Sequence, residues 1–254
     1  MAVHVGQGLH VVAIRYGGSR RVEASEDPVD AYAESGAYSL FGGEPTIVEP
    51  EFPEDQRSDE PTINLGLLGR EIAEAVAAGR EADKPVVVVG GNCAIVPGVM
   101  GGLQLAHGPA ARIGLVWFDA HGDFNTPRTT LSGMLGGMPV AVSAGLAYPR
   151  WRELSDQAVP LPTDRIVMVD VRNLDTAEEQ LIRATDIIIA ATADGFPGDD
   201  LQQAITDLAE RCDMLYLHID SDILDQEYVP NHGTKEPNGP NMQQVLDAIE
   251  TVMA

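Results

Sequence analysis

Short apolar runs alternate with longer amphipathic stretches along this chain. Three continuous runs predict buried strands that end in glycine or polar residues: PVVVVGG at 85–91, IGLVWFDAH at 113–121 and MLYLHIDSD at 214–222. Shorter strands are predicted at 10–16, 165–171 and 186–190. Apolar positions at helical spacing predict helices at 63–82, 95–105, 138–146, 177–184, 199–211 and 241–253, with a weaker patch at 28–35.

Buried strands that alternate with helices are typical of a parallel sheet with helices on both faces. We therefore predict an α/β fold with three layers, α/β/α, around a mostly parallel central sheet. The pattern contains no internal repeat and no linker, so we expect a single domain over residues 1–254. The chain closes on a helix where an α/β pattern usually continues into a strand, so we expect the last strand of the sheet to be missing from it.

The charge of the chain excludes several classes of partner. Its 254 residues carry 39 acidic and 16 basic side chains, a formal net charge of −23. Phosphate binding needs concentrated Lys and Arg, and anionic lipid surfaces repel acidic proteins, so we expect neither a nucleic-acid nor a membrane partner. An acidic run at 49–61 is expected to be a solvated loop.

The predicted location is the cytoplasm. Two cysteines cannot form a disulfide framework, which fits a reducing compartment. The first 18 residues lack the basic segment and long apolar core of a signal peptide, and no apolar run approaches the ~18 residues of a membrane span.

Candidate chemistry lies where the apolar strands end, which is where open parallel sheets bind ligands. The first strand end is DAHGDFN at 119–125. If its backbone stays extended, Asp119, His121 and Asp123 project to one side and form a set of ligands suited to a divalent cation. A polar strand end followed by a helix cap is the plainer interpretation of the same residues.

Two other strand ends add candidate ligands. In LHIDSDILD, Asp220 and Asp222 lie beside an apolar strand, where two carboxylates are costly unless a cation neutralises them. Two solvated surface aspartates are the alternative. In GGNCAI, Cys93 is placed at a strand-to-helix turn, although a free cysteine is more often a small buried apolar residue. Together the three strand ends suit two metal ions with bridging carboxylates.

These motifs resemble the ureohydrolases, the family of arginase and agmatinase, which are manganese-dependent hydrolases of guanidino compounds. The resemblance rests on GGNC at 90–93, DAHGDFNTP at 119–127, SGMLGGMP at 132–139 and HIDSDILD at 218–225. It implies an arginase-like fold and a divalent metal cofactor, Mn²⁺ by preference, as one or two ions. The implied metal ligands are Cys93, Asp119, His121, Asp123, Asp220 and Asp222.

The resemblance also implies a reaction and a substrate site. Metal-activated hydroxide attacks the guanidino carbon, and Asp123 and His121 are the implied catalytic residues, with Asp123 orienting the nucleophile and taking its proton. The positions that match substrate contacts in the family are Asn125, Ser132, Asp175 and Thr234. The family is often trimeric or hexameric, so we expect a homo-oligomer.

Several positions depart from the family pattern. Cys93 stands where the family has a histidine ligand, and a thiolate shifts the preference away from manganese. Gly136 stands where arginases carry a histidine that assists proton transfer to the leaving amine. We expect these losses to favour a less basic N-hydroxyguanidine, as in the hydroxyarginine-hydrolysing branch, which also carries a cysteine. His232, in the loop beside Thr234, is a candidate to replace the missing shuttle.

Two other functions stay open at this point. One is hydrolysis of a formimino or other linear amidine on the same scaffold. The other is a catalytically degenerate member that binds metal without turnover.

Overall fold

The structure is a computed structural model that describes residues 8–23 and 27–254. The strands are β1 (His10–Ile14), β2 (Tyr16–Gly17), β3 (Arg20–Arg21), β4 (Thr46–Val48), β5 (Val86–Gly90), β6 (Ile113–Phe118), β7 (Ile166–Val169), β8 (Ile188–Ala190) and β9 (Met214–Ile219). The helices are α1 (Val29–Glu34), α2 (Pro61–Glu81), α3 (Val96–His107), α4 (Pro139–Ser143), α5 (Pro149–Leu154), α6 (Thr176–Arg183), α7 (Leu201–Arg211) and α8 (Met242–Met253).

The chain divides into two compact units. The first comprises Met1–Ala110 and Gly145–Pro160, and the second comprises Ala111–Ala144 and Leu161–Ala254. Each unit has its own parallel sheet, and the single-domain organisation stays a prediction.

The sheet of the first unit has the strand order β4-β1-β5, with both pairings parallel. The buried residues Leu9, Val11, Tyr38 and Val89 form an apolar cluster on it. Helix α2 packs against α3 and α5 at close range because glycines line the contacts. A Cβ on Gly98 would lie 2.6 Å from the carbonyl oxygen of Gly69, so neither helix tolerates bulk there.

The sheet of the second unit has the order β8-β7-β6-β9 and is also parallel throughout. Its core combines apolar side chains of β6 and β7, such as Phe118 and Val169, with the apolar faces of α7 and α8. Phe118 is in register with Ile219, so the residues that follow β6 and β9 leave the sheet side by side. This register places the candidate site.

The predicted elements are largely confirmed, with ends shifted by a few residues. The pattern did not predict β4, the short antiparallel pair β2 and β3, or helix α5, since elements this short carry too few residues for a periodic signal. The acidic run 49–61 is mostly irregular, as expected, with a short 3-10 turn at Glu54–Gln56 and the first residue of α2 at its end.

One expectation is wrong. Residues 119–123 do not continue β6 as an extended strand: β6 ends at Phe118, and Asp123 has a φ of 44°, in the left-handed region. A left-handed residue turns the chain sharply, so the alternation of side chains ends with the strand.

No helix within residues 8–23 and 27–254 is both long enough and apolar enough to cross a bilayer. The sequence of the first 18 residues predicts no signal peptide. Residues 1–7 of that segment lie outside the described residues.

Candidate metal and substrate site

The first side chain of the site, Asp119, follows directly after β6 and is 1% exposed. The backbone N–H of His121 donates a hydrogen bond to Asp119 Oδ1 at 2.6 Å. The chain therefore folds around the carboxylate within two residues. This turn, and not an extended strand, brings the His121 ring back towards Asp119.

The second pair of acids follows β9. Asp220 begins a 3-10 turn, Ser221–Ile223, and its Oδ1 accepts the backbone N–H of Asp222 at 3.0 Å. Asp222 is 1% exposed, and its Oδ1 accepts the backbone N–H of Ala120 at 3.2 Å. Asp222 thus connects the segments that follow β6 and β9, although the two are about a hundred residues apart in sequence.

The imidazole of His121 lies between carboxylates on both sides. Its Nδ1 is 3.3 Å from Asp119 Oδ1 and 3.2 Å from Asp222 Oδ2, whereas its Nε2 is 3.4 Å from Glu236 Oε1. Asn173 Nδ2 donates to the same Glu236 oxygen at 2.6 Å. One ring nitrogen therefore faces the buried acids, and the other faces a carboxylate that is itself held in place.

The acids strongly perturb one another. Burial raises the pKa of Asp119 well above its usual range, and the nearby charges of Asp123, Asp222 and Asp220 raise it further. Burial lowers the pKa of His121, but hydrogen bonds to Asp119 and Asp222 outweigh that effect and raise it to about 11. An imidazolium proton thus serves as the counter-charge for acids that are buried together.

The donor set fits a divalent cation. One ligand atom each from Asp119, His121 and Asp222 lie within 4.8 Å of one another, and the same holds for Asp220, Asp222 and His232. Carboxylate oxygens with imidazole nitrogens suit Mn²⁺ and similar ions. A bound cation would replace the proton on His121 as the counter-charge, since an imidazole ligates only in its neutral form.

Two predicted ligands lie outside these two triads. Asp123 is buried, and its charge acts on Asp119, but it shares neither triad. Cys93 is buried in the first unit, where it opens the 3-10 turn Cys93–Ile95 that Asn92 caps. Ligation by Asp123 and by Cys93 stays a prediction.

The predicted substrate contacts fall into two groups. Asn125 Nδ2 donates to Asp175 Oδ2 at 3.2 Å, and the backbone N–H of Leu131 reaches the same oxygen at 3.3 Å, beside the exposed Ser132. Asp175 is fixed as the N-cap of α6 by a capping box with Glu178. The structure thus brings Asn125, Asp175 and the segment of Ser132 together.

Thr234 lies elsewhere, against the acids. Its hydroxyl donates to Asp222 Oδ2 at 2.8 Å. The hydroxyl keeps lone pairs that can accept a further hydrogen bond, so contact with a substrate stays open to it.

Arg172 holds together the loops that carry these residues. Its guanidinium pairs with Asp170 at 2.5 Å and donates to the backbone carbonyls of Asp222 and Glu236 at 3.0 and 3.2 Å. A Cβ on Gly239 would lie 2.5 Å from Arg172 Nη2. Because glycine has none, the loop that contains Gly239 can pack closely against the arginine.

Sequence reasoning did not identify Glu236, Asn173 or Arg172 as parts of the site. The only available signal was their position in the same loops as Thr234 and Asp175. Loop residues carry no periodicity, so their partners follow from the fold alone.

Comparison with known proteins identifies the family of this chain. The model of the "Arginase family" matches residues 51–254, about four fifths of the chain. The chain belongs to the arginase family.

Its relatives in this family carry the names of ureohydrolase-type enzymes. An arginase of Bacillus caldovelox is 32% identical over 202 residues, covering 77% of this chain and 66% of the relative. An N(omega)-hydroxy-L-arginine amidinohydrolase of Streptomyces lavendulae is 29% identical over 183 residues, covering 72% and 61%. The chain thus spans about two thirds of the length of the curated relatives it matches.

The fold is that of the family. The solved structure of the Bacillus caldovelox arginase superposes with a TM-score of 0.81 at 24% identity, covering 96% of this chain and 85% of the other. The predicted α/β class with parallel sheets flanked by helices, and its arginase-like character, are confirmed.

Proposed function

We propose that this chain is a metal-dependent hydrolase that cleaves a C–N bond of a guanidino or N-hydroxyguanidino compound and releases urea or hydroxyurea. One observation carries the proposal: Asp119, His121 and Asp222 converge within 4.8 Å where β6 and β9 end. Names of family relatives support the reaction class.

The proposed cofactor is Mn²⁺, as one or two ions. The residues proposed to hold it are Cys93, Asp119, His121, Asp123, Asp220 and Asp222. A divalent cation supplies a nucleophilic water at neutral pH and positive charge opposite the developing negative charge of the transition state. Neutral His121 presents Nδ1 to this site, while its Nε2–H faces Glu236.

The proton transfers belong to Asp123 in this proposal. Its carboxylate accepts the proton of the attacking water as the C–O bond to the guanidino carbon forms. When the tetrahedral intermediate collapses, the C–N bond to the side-chain amine breaks, and the proton held on Asp123 passes to that amine. The products are an amine and urea, or an amine and hydroxyurea when the substrate carries the N-hydroxyl group.

The amino-acid end of the substrate is proposed to lie at the second group of residues. Asp175 offers a carboxylate to an α-ammonium group, and Asn125 and Ser132 offer an amide and a hydroxyl to a carboxylate. The hydrogen bond between Asn125 and Asp175 supports this assignment, because it aligns the two side chains before any ligand binds. Thr234 is proposed to accept from the guanidino group.

The absence of a shuttle at Gly136 supports an N-hydroxyguanidine as substrate. Nothing in the described surroundings demands a glycine there: a Cβ would meet only the Met134 side chain, at 3.9 Å. Position 136 therefore lacks a proton donor, although the space around it does not exclude a side chain. A substrate of lower basicity depends less on such a donor.

The test is a substrate screen with purified, Mn²⁺-loaded protein. We expect the highest kcat/KM for N-hydroxy-L-arginine, with lower values for L-arginine and agmatine. Faster turnover of arginine contradicts the hydroxyguanidine assignment. Turnover of a formimino compound alone favours the amidine alternative, and metal binding without any turnover favours the degenerate one.

A variant pair sharpens the substrate assignment. Gly136→His restores an imidazole, whereas Gly136→Phe adds bulk without a transferable proton. We expect the histidine variant alone to raise kcat for arginine relative to N-hydroxyarginine, by about tenfold or more. An equal effect of both variants contradicts a proton-transfer role at this position.

We also propose that the protein is a cytoplasmic homo-oligomer, from its cysteine usage and its family. Light scattering after size exclusion measures its mass, and a monomeric mass contradicts the oligomer.

A further inference from the structure

His232 occupies a loop that is closed around it. Its backbone N–H bonds to the Val229 carbonyl at 3.0 Å, and the ammonium of Lys235 donates to the Pro230 carbonyl. The His232 side chain is 28% exposed, and it turns inward to the acids that follow β9. The imidazole therefore contacts the carboxylates that follow β9.

The distances suit shared ligation. His232 Nε2 lies 3.2 Å from Asp220 Oδ1, and one ligand atom each from Asp220, Asp222 and His232 lie within 4.8 Å of one another. Two ligand atoms that each lie about 2.1 Å from one ion are about 3.0 Å apart when the ligand–ion–ligand angle is about 90°, and about 4.2 Å apart when it is about 180°. The observed separations therefore leave room for one ion among these three side chains.

The second ring nitrogen of His232 lies against Thr234. Nδ1 accepts the Thr234 backbone N–H at 3.3 Å and lies 3.2 Å from the Thr234 hydroxyl, which donates to Asp222 Oδ2 at 2.8 Å. In the ligating form, in which Nε2 binds the ion, Nδ1 carries the proton and the hydroxyl oxygen is its acceptor. A chain from His232 through Thr234 to Asp222 thus holds the ring and the carboxylate in one arrangement.

Asp222 belongs to two such groups. With Asp119 and His121 it forms one triad, and with Asp220 and His232 it forms another, each within 4.8 Å. A carboxylate has two oxygens and can bridge two ions. Each position then has one imidazole and two carboxylates, counting the shared one.

We propose that His232 is a metal ligand, which with Asp220 and Asp222 forms a second cation position beside the one at His121. This inference rests on the metal-dependent part of the proposed function. It adds a nitrogen ligand that the family motifs do not predict, in a chain whose Cys93 stands where the family has a histidine. Each of the two positions thereby contains an imidazole.

The first experiment follows the histidine rings of the intact protein directly. Long-range ¹H–¹⁵N spectra are recorded on ¹⁵N-labelled protein during titration with Zn²⁺, a diamagnetic probe of the same ligands. We expect Nδ1 of His121 and Nε2 of His232 to move to the range of metal-bound nitrogen. If His232 keeps the shifts of an unligated ring at saturation, the proposal is overturned without any variant.

The second experiment measures Mn²⁺ binding by calorimetry and metal analysis. We expect two bound ions in the wild type and one in His232→Ala, or a second ion bound at least tenfold more weakly. His232→Asp, which keeps a ligand oxygen, restores part of that affinity. His107→Ala removes a histidine of the first unit and leaves binding unchanged. Equal stoichiometry and affinity in wild type and His232→Ala overturn the proposal.

The two proposals fail separately. A protein that binds two ions through His232 but hydrolyses no guanidino compound refutes the proposed function and keeps this inference. If the protein is an active hydrolase but its His232 ring does not respond to the metal, this inference is refuted and the proposed function is kept.

Discussion

The chain has two acidic regions that differ in what balances their charge. In the 49–61 run, Glu51 pairs with Arg21 at 2.9 Å and Glu54 with Arg57 at 2.6 Å, and all four side chains are well exposed. At the ends of β6 and β9, Asp119 and Asp222 are buried and face imidazoles. In the first region, water and arginine side chains are enough to balance the negative charge.

This difference shows why net charge alone is a poor guide to function. Exposed carboxylates are solvated and screened by salt, so each one destabilises the folded state little and attracts a cation only weakly. Buried carboxylates lose their hydration and repel one another, and a cation offsets both penalties. The same residue types therefore predict a site only where the strand pattern buries them.

Asp222→Asn tests the buried region with the largest expected effect. The amide matches the carboxylate in shape and keeps an oxygen for the Ala120 N–H, but it loses the charge. We expect Mn²⁺ affinity to fall more than about 100-fold, beyond the loss typical of outer-shell changes.

The unfolding temperature supplies the control for that variant. Bound Mn²⁺ raises the wild-type Tm, because only the folded state holds the ion. Asp222→Asn should lose this rise, although its metal-free form unfolds at a lower temperature than the metal-free wild type, because His121 and Thr234 lose a charged partner. A metal-induced rise equal to that of the wild type contradicts the assignment.

The buried imidazole of His218 predicts a pH dependence of stability. It stacks on Trp117 with ring centroids 4.1 Å apart, and burial lowers its pKa to about 4. The unfolded chain therefore takes up a proton between pH 6.5 and 4 that the folded chain does not, so stability falls as the pH falls through this window.

His218→Phe keeps an aromatic ring on Trp117 and removes the titration. Denaturant unfolding at pH 7.5 and pH 5 measures the effect. We expect the free energy of unfolding to drop about 2 kcal/mol more in the wild type than in the variant, at ~1.4 kcal/mol per pH unit. Parallel pH dependence in the two proteins contradicts the prediction.

Glu236→Gln tests the carboxylate behind His121. Without its charge, the Nε2–H of His121 has a weaker acceptor, so Nδ1 becomes a weaker ligand. We expect Mn²⁺ affinity to fall about tenfold, measured by calorimetry. Glu227→Gln, which neutralises an exposed carboxylate nearby in the chain, serves as the matched control. Equal affinities in the two variants would remove Glu236 from the centre.

The exposed region predicts the smallest effect. Glu54→Gln breaks the ion pair with Arg57 at the surface. We expect neither the melting temperature nor Mn²⁺ affinity to change beyond experimental error, because exposed pairs contribute little. A clear loss of either would show that the acidic run has a role beyond solvation.

Most of the fold could be predicted from the chain itself. Buried strands such as 113–118 are continuous apolar runs, and α7 and α8 are strongly amphipathic, so both have a periodic signal. The residue types of the site were visible too, since acids and a histidine directly follow buried strands. The expected geometry of residues 119–123 was wrong, because a strand's alternation does not extend beyond its end.

The sequence by itself determined the α/β class, the family and which strand ends carry ligands, since hydrophobic periodicity and local motifs are properties of neighbouring residues. Only the tertiary structure decided that Asp222 bonds to the Ala120 N–H, that Glu236 faces His121 and that His232 turns towards Asp220. Parallel pairing of β6 with β9 brings residues about a hundred positions apart into contact. Loops without periodicity then complete the site, and their conformation depends on contacts such as those of Arg172.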